Sequence, residues 1–184
     1  MKRLKSHIMI NAPVTITFSL VCFIMTILGM ITGGAINILF GTSSIIGIIC
    51  HVFVHGGGWE HMTGNVMMLL ILGPLLEEKY GSRRLIQMIF INAVTTGILL
   101  HFFMPSVSVT GASGIVFMMV LLASFTGNTA NGMIPITAIL VGVLYLGQEI
   151  WDMLFTIDSI SHGAHILGGI TGTVFGFVIN KKNT

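Results

Sequence analysis

Six apolar runs, at 13–31, 61–76, 84–104, 113–125, 133–150 and 162–179, bound what this chain can fold into. Charged side chains gather at the ends of these runs rather than within them. A helix crosses a bilayer with roughly 20 mostly apolar residues, about 17–25 in practice. The runs at 61–76 and 113–125 are short by that measure, and they are read as spans because the charge pattern requires an even number of crossings. Composition agrees, since 54% of the 184 residues are hydrophobic and 8% charged, against about 25% charged in soluble domains. The expected fold is an all-α membrane protein, a bundle of six transmembrane helices forming one domain over residues 1–184.

The basic residues orient that bundle. With the N-terminus inside, the cytoplasmic segments are 1–12, 77–83, 126–132 and 180–184. Lys2, Arg3, Lys5, Lys79, Arg83, Arg84, Lys181 and Lys182 all fall in or beside them, as the positive-inside rule demands. Glu60, Glu149, Asp152 and Asp158 lie in the outer connections or at span edges. The expectation is therefore a multi-pass protein of a plasma membrane with both tails cytoplasmic. Lys2, Arg3 and Lys5 before a hydrophobic run resemble a signal peptide, but no small-x-small cleavage site follows, so 13–31 is read as a retained span. Residues 33–55 are apolar but broken by Gly33, Gly34, Gly41 and Gly47, which predicts an irregular or interfacial excursion. A net charge of +2 with few basic residues excludes a nucleic-acid-binding surface. Cys22 and Cys50 imply neither a disulfide framework nor a zinc cluster.

Parity places the N-terminal ends of spans two, four and six on the same outer side. Span two opens with His61 and Asn65, span four with Ser113, span six with His162 and His165. Polar groups inside a membrane are costly and face a bundle interior or a watery cavity, so three helices carrying them at one depth point to a site. Ala164, Gly168, Gly172 and Gly176 form a stripe of small residues that lets span six approach a neighbour closely. If that neighbour is span four, His165 arrives near Ser113, and Gly169 leaves space under its ring. A serine beside a histidine is the minimum for nucleophilic acyl transfer. Asn65 and His61, four apart on one helix face, can donate to an oxyanion, as can the backbone N–H of Ser113 at a helix start. No carboxylate is expected within reach of His165, which makes the pair a dyad.

The ordered motifs resemble those of the rhomboid family of intramembrane serine proteases. They are Gly58-Trp59 before His61-x-x-x-Asn65, then Gly111-Ala112-Ser113-Gly114, then Ala164-His165 before Gly168-Gly169. The resemblance implies Ser113 as nucleophile, His165 as general base, and His61 and Asn65 as oxyanion-stabilising residues. It implies no cofactor or metal. The implied partners are the lipid bilayer and single-span membrane proteins, cut near the outer end of their transmembrane segment, with spans two and five or the first outer loop controlling access. Three positions depart from the family pattern: residues 33–55 lack a Trp-Arg pair, Phe117 stands where Tyr is frequent, and Gly56-Gly57-Gly58 is one glycine longer than usual.

Other polar residues receive simpler readings. His162 is read as an outer-rim residue and His101 as interfacial, and Glu77-Glu78 with Lys79, Arg83 and Arg84 as a solvated cytoplasmic turn. His51 and His55 are four apart and could share a metal on a helix, but no HExxH signature accompanies them. The alternative functions are a small polytopic transporter or channel, or a catalytically inactive rhomboid-like protein that binds membrane clients. A transporter needs a polar path from both faces, which the inner halves of spans four and six do not offer.

Overall fold

Backbone groups in an apolar medium must bond within the chain, and this chain meets that demand with helices. The structure is a computed structural model that describes residues 10–125, 134–155 and 162–182. The predicted 1–12 tail, the 126–132 connection, Asp158 and the 180–184 tail lie wholly or partly outside the described residues. The helices are α1 (Pro13–Ile31), α2 (Ala35–Phe40), α3 (Gly47–Cys50), α4 (Gly58–Tyr80), α5 (Ser82–Phe103), α6 (Ser113–Ser124), α7 (Ile136–Phe155) and α8 (His162–Lys182). A 3-10 turn, His51–Phe53, follows α3, and no strand occurs among the described residues.

All six predicted runs are helical. Of these, α1, α5 and α7 are long and apolar enough to cross a membrane, and α6 is a shorter apolar helix. The brevity of α6 has a packing reason. Gly114, Ile115, Val116, Met118, Met119, Leu121 and Leu122 are all buried, with α4, α5, α7 and α8 all packed against it. It is the core around which the others stand. The outward faces are apolar: Met67, Leu70, Ile71 and Leu75 on α4 and Ile86, Phe90, Ile91 and Ile98 on α5 are exposed. Exposed apolar surface on that scale marks a face made for lipid or partner rather than water.

Both ends of α4 run past the predicted 61–76. At its far end Glu77 is buried rather than solvated, which corrects the expectation of an open turn there. Its carboxylate accepts from the backbone N–H of Val14 at 3.0 Å and of Thr15 at 3.1 Å, from Thr15 Oγ1 at 3.0 Å and from Ser82 Oγ at 2.7 Å. Pro13 occupies the first turn of α1 and Ala12 offers no side-chain cap, so the orphan N–H groups of that helix find their acceptor on α4. Gly81, with φ +81, ends α4 and opens α5. Residues 33–55 fold into α2, α3 and the 3-10 turn, a more ordered arrangement than the glycines predicted.

Candidate active site

The segment leading to Ser113 is laid along residues 42–56. Thr42 N–H donates to the Val109 carbonyl at 3.1 Å, and Gly111 N–H to the His51 carbonyl at 2.9 Å. Val109 N–H donates to Thr42 Oγ1 at 2.9 Å, and Gly56 N–H to Thr110 Oγ1 at 2.9 Å. Ala112 N–H points at His55 Nε2 at 3.4 Å. The irregular stretch is thus the seat of the GASG motif. His101 also joins this seat, with Nδ1 2.7 Å from the Thr42 carbonyl. His51 and His55 are buried and committed separately, His51 Nδ1 to the Gly47 carbonyl at 2.9 Å and His55 to Ala112.

Gly111 has φ +130, a conformation that L side chains rarely adopt. A Cβ there would also sit 2.6 Å from His61 Cε1 and 2.8 Å from His61 Nε2. The backbone just before Ser113 therefore lies close against the Cε1–Nε2 edge of the His61 ring. Asn65, one turn along α4, is buried, and its Nδ2 has no hydrogen-bond partner. The position a Gly111 Cβ would take is 3.7 Å from that nitrogen. Buried donors are nearly always paired, so an orphaned amide beside the serine turn is a donor waiting for an acceptor.

Ser113 is the first residue of α6 and is half-buried. The small-residue stripe of α8 faces α6 as expected. A Cβ on Gly168 would run into the Gly114 carbonyl, one on Gly172 into the Met118 carbonyl, and one on Gly114 would lie 3.1 Å from the Ala164 carbonyl. Ser113 and His165 therefore lie on the two helices of a seam where backbone meets backbone. The His165 ring lies stacked on Phe117, centroids 4.3 Å apart and planes 8° from parallel. Phe117 is four residues after Ser113 and shares its helix face, so the imidazole covers the face of α6 that begins with the serine. Gly169 makes room for Leu146 of α7, which a Cβ there would run into.

One expectation is overturned. A carboxylate does reach His165: Glu149 Oε2 on α7 lies 3.0 Å from His165 Nδ1 and 2.7 Å from His162 Nδ1. The linear sequence placed Glu149 at a span edge, but α7 continues to Phe155, and one face of it turns this side chain inward. His162 is correspondingly buried, not at a rim. Glu149, His162 and His165 present ligand atoms within 4.8 Å of one another, a spacing that a metal ion could also use.

The fold and the site together define a helical multi-pass membrane protein with serine, histidine and amide groups gathered where three helices begin. A family model of the Rhomboid domain matches residues 42–182, and the chain belongs to the rhomboid family. Rhomboid-related protein 1 of Caenorhabditis elegans is 34% identical over 143 residues, 70% of this chain and 38% of that protein. Rhomboid-related protein 2 of Mus musculus is 29% identical over 145 residues, covering 71% and 47%. Rhomboid protease GlpG of Yersinia pseudotuberculosis is 27% identical over 176 residues, covering 90% and 62%. The chain thus spans between 38% and 62% of the length of these relatives.

Proposed function

We propose that this chain is an intramembrane serine endopeptidase that cuts transmembrane segments of single-span membrane proteins near the outer face. Ser113 is its nucleophile and His165 its general base. Asn65, with His61 beside it, receives the oxyanion. The observation that carries the reading is the orphaned Asn65 Nδ2, buried against the backbone of Gly111 two residues before the serine. Four other buried polar atoms also lack partners, on Ser19, Asn37, Tyr80 and Thr96, and what sets Asn65 apart is its place beside Gly111 and His61. In the reaction, His165 takes the Ser113 Oγ proton as the oxygen attacks the scissile carbonyl, and the developing oxyanion turns toward the amide.

Membership in a family that includes proteins named as proteases supports the activity. The chain would cross a plasma membrane six times with both tails cytoplasmic, a topology supported by the eight basic residues. The test is cleavage of a panel of tagged single-span substrates in liposomes, joined to labelling by a fluorophosphonate. Cleavage and labelling by the parent, both lost in Ser113→Ala and His165→Ala variants that remain folded, support the reading. Cleavage that survives both substitutions refutes it. A parent that neither cleaves nor labels favours the client-binding alternative.

A further inference from the structure

Glu149 stands out on α7. Of the side chains on that helix only Ala138 and Glu149 are buried, while Leu140, Val143, Leu144, Trp151, Leu154 and Phe155 are exposed. Burying a carboxylate of an apolar helix is costly unless it is paired. Here a single oxygen, Oε2, meets two imidazole nitrogens, His162 Nδ1 at 2.7 Å and His165 Nδ1 at 3.0 Å. An ionised carboxylate only accepts hydrogen bonds, and a proton on Oε2 would serve one ring and not both. Each Nδ1 therefore carries the hydrogen. For neutral His165 that leaves Nε2 as the basic nitrogen.

The ring is held in two independent ways. Stacking on Phe117 fixes its plane, and the bond to Glu149 fixes which edge faces α7 and which tautomer is present. His162 fills the second approach to the same oxygen, so the carboxylate cannot swing away from His165 without abandoning a further bond.

We propose that Glu149 is a positioning residue for His165, extending the serine–histidine pair into a Ser–His–Glu relay whose carboxylate is supplied by α7. The inference rests on the reading of Ser113 as nucleophile and His165 as base. As the Ser113 Oγ–H bond breaks, its proton moves to His165 Nε2, Oγ bonds to the scissile carbon, and the carbonyl electron pair moves onto oxygen. The imidazolium so formed keeps its Nδ1–H on Glu149, which stabilises the new charge. Collapse of the intermediate breaks the carbon–nitrogen bond, and the amine leaves with the Nε2 proton. Water repeats the cycle on the acyl-enzyme and restores Ser113. Glu149 stays ionised throughout.

The experiment compares the full-length parent with Ser113→Ala, Glu149→Gln and Glu149→Asp in liposomes. It reads the second-order rate of fluorophosphonate labelling, kcat and KM on a tagged single-span substrate, and nitrogen-15 spectra of the histidine rings. Changing the triad carboxylate to an amide costs about 10⁴ in kcat in a serine protease, through the wrong tautomer. Glu149→Gln should accordingly label and turn over roughly 10²- to 10⁴-fold more slowly, with KM changed by less than about threefold and partial recovery in Glu149→Asp. The parent spectrum should show His165 protonated at Nδ1 and not at Nε2, a pattern lost in Glu149→Gln. A merely structural carboxylate would not move the tautomer. Labelling of Glu149→Gln within about threefold of the parent overturns the inference and leaves the protease reading intact, as does an unprotonated Nδ1 in the parent. A parent that never labels or cleaves removes the reading and the inference together. If Glu149→Gln does not fold, Glu149→Asp and the parent spectrum decide. Labelling unchanged by EDTA supports the relay, whereas loss on EDTA that Zn²⁺ restores would assign Glu149, His162 and His165 to a metal and overturn it.

Discussion

Asn65 and Glu149 are both buried polar side chains, yet their circumstances are opposite. Glu149 is doubly bonded, and Asn65 keeps an amide nitrogen with no partner. An unpaired donor of this kind costs about 1–3 kcal/mol of stability, which a substrate oxyanion would return at the moment of reaction. Asn65→Ala is therefore expected to lower kcat by roughly 10²–10³-fold, the effect of removing one oxyanion donor. KM and the melting temperature should hold or improve slightly. Steady-state cleavage in liposomes beside a thermal unfolding scan checks both halves, and an unchanged kcat would return Asn65 to a packing role. The places of His61 and Asn65 near the start of α4, of Ser113 at the start of α6 and of His165 in the first turn of α8 were legible from the sequence, because each sits in a short motif at the edge of an apolar run. Glu149 was not. It lies 16 residues before His165 on another helix, among Gln148 and Asp152 near the end of an apolar run, where a carboxylate reads as an edge charge. Glu77 was missed for the same reason: a charge at the end of a run looks solvated until the neighbouring helix start that needs it is in place.

At the scale of elements, the seam between α6 and α8 packs the helix that begins with Ser113 against the helix that carries His165. The stripe of small residues predicted it, because in lipid small side chains are what let two backbones meet. What the stripe could not give was the role of residues 33–55, whose value lies in long-range hydrogen bonds to residues 107–112 rather than in any local pattern. The seam makes a discriminating prediction among glycines. A Cβ on Gly168 meets the backbone carbonyl of Gly114, which cannot give way, whereas one on Gly64 meets nothing within 4 Å. Gly168→Ala should thus destabilise the protein by about 1–3 kcal/mol through overpacking and slow labelling by prying His165 from α6. Gly64→Ala, on the exposed face of α4, should be neutral or gain up to about 1 kcal/mol in helix propensity. Unfolding scans in one detergent, with labelling rates at a temperature where both variants are folded, test the contrast. Equal behaviour of the two would mean that the seam is slack.

Across the whole molecule, the helices are held very unequally. α6 is enclosed, while α7 buries only Ala138 and Glu149 and leaves most of its apolar side chains exposed. Its fastening at the site end is Glu149 on the two histidines of α8, with Tyr145 edge-on to Phe117 at 5.3 Å. Leu146 seated over Gly169 adds to that fastening, yet α7 buries little apolar area, so on the proposed protease reading it is the side on which a transmembrane segment would approach Ser113. The same fastening aligns His165. On that reading opening and alignment oppose each other: a substrate entering past α7 would require the helix to reseat before the proton could move. A restraint that pins α7 to α4, such as a bifunctional thiol reagent between cysteines introduced on the two helices, should separate the two demands. Cleavage of a single-span substrate should fall by at least about tenfold, whereas labelling by a small fluorophosphonate, which needs alignment but no wide opening, should stay near the uncross-linked rate. Loss of both would indicate that the restraint distorts the site, and retention of both would show that substrates reach the serine by another route.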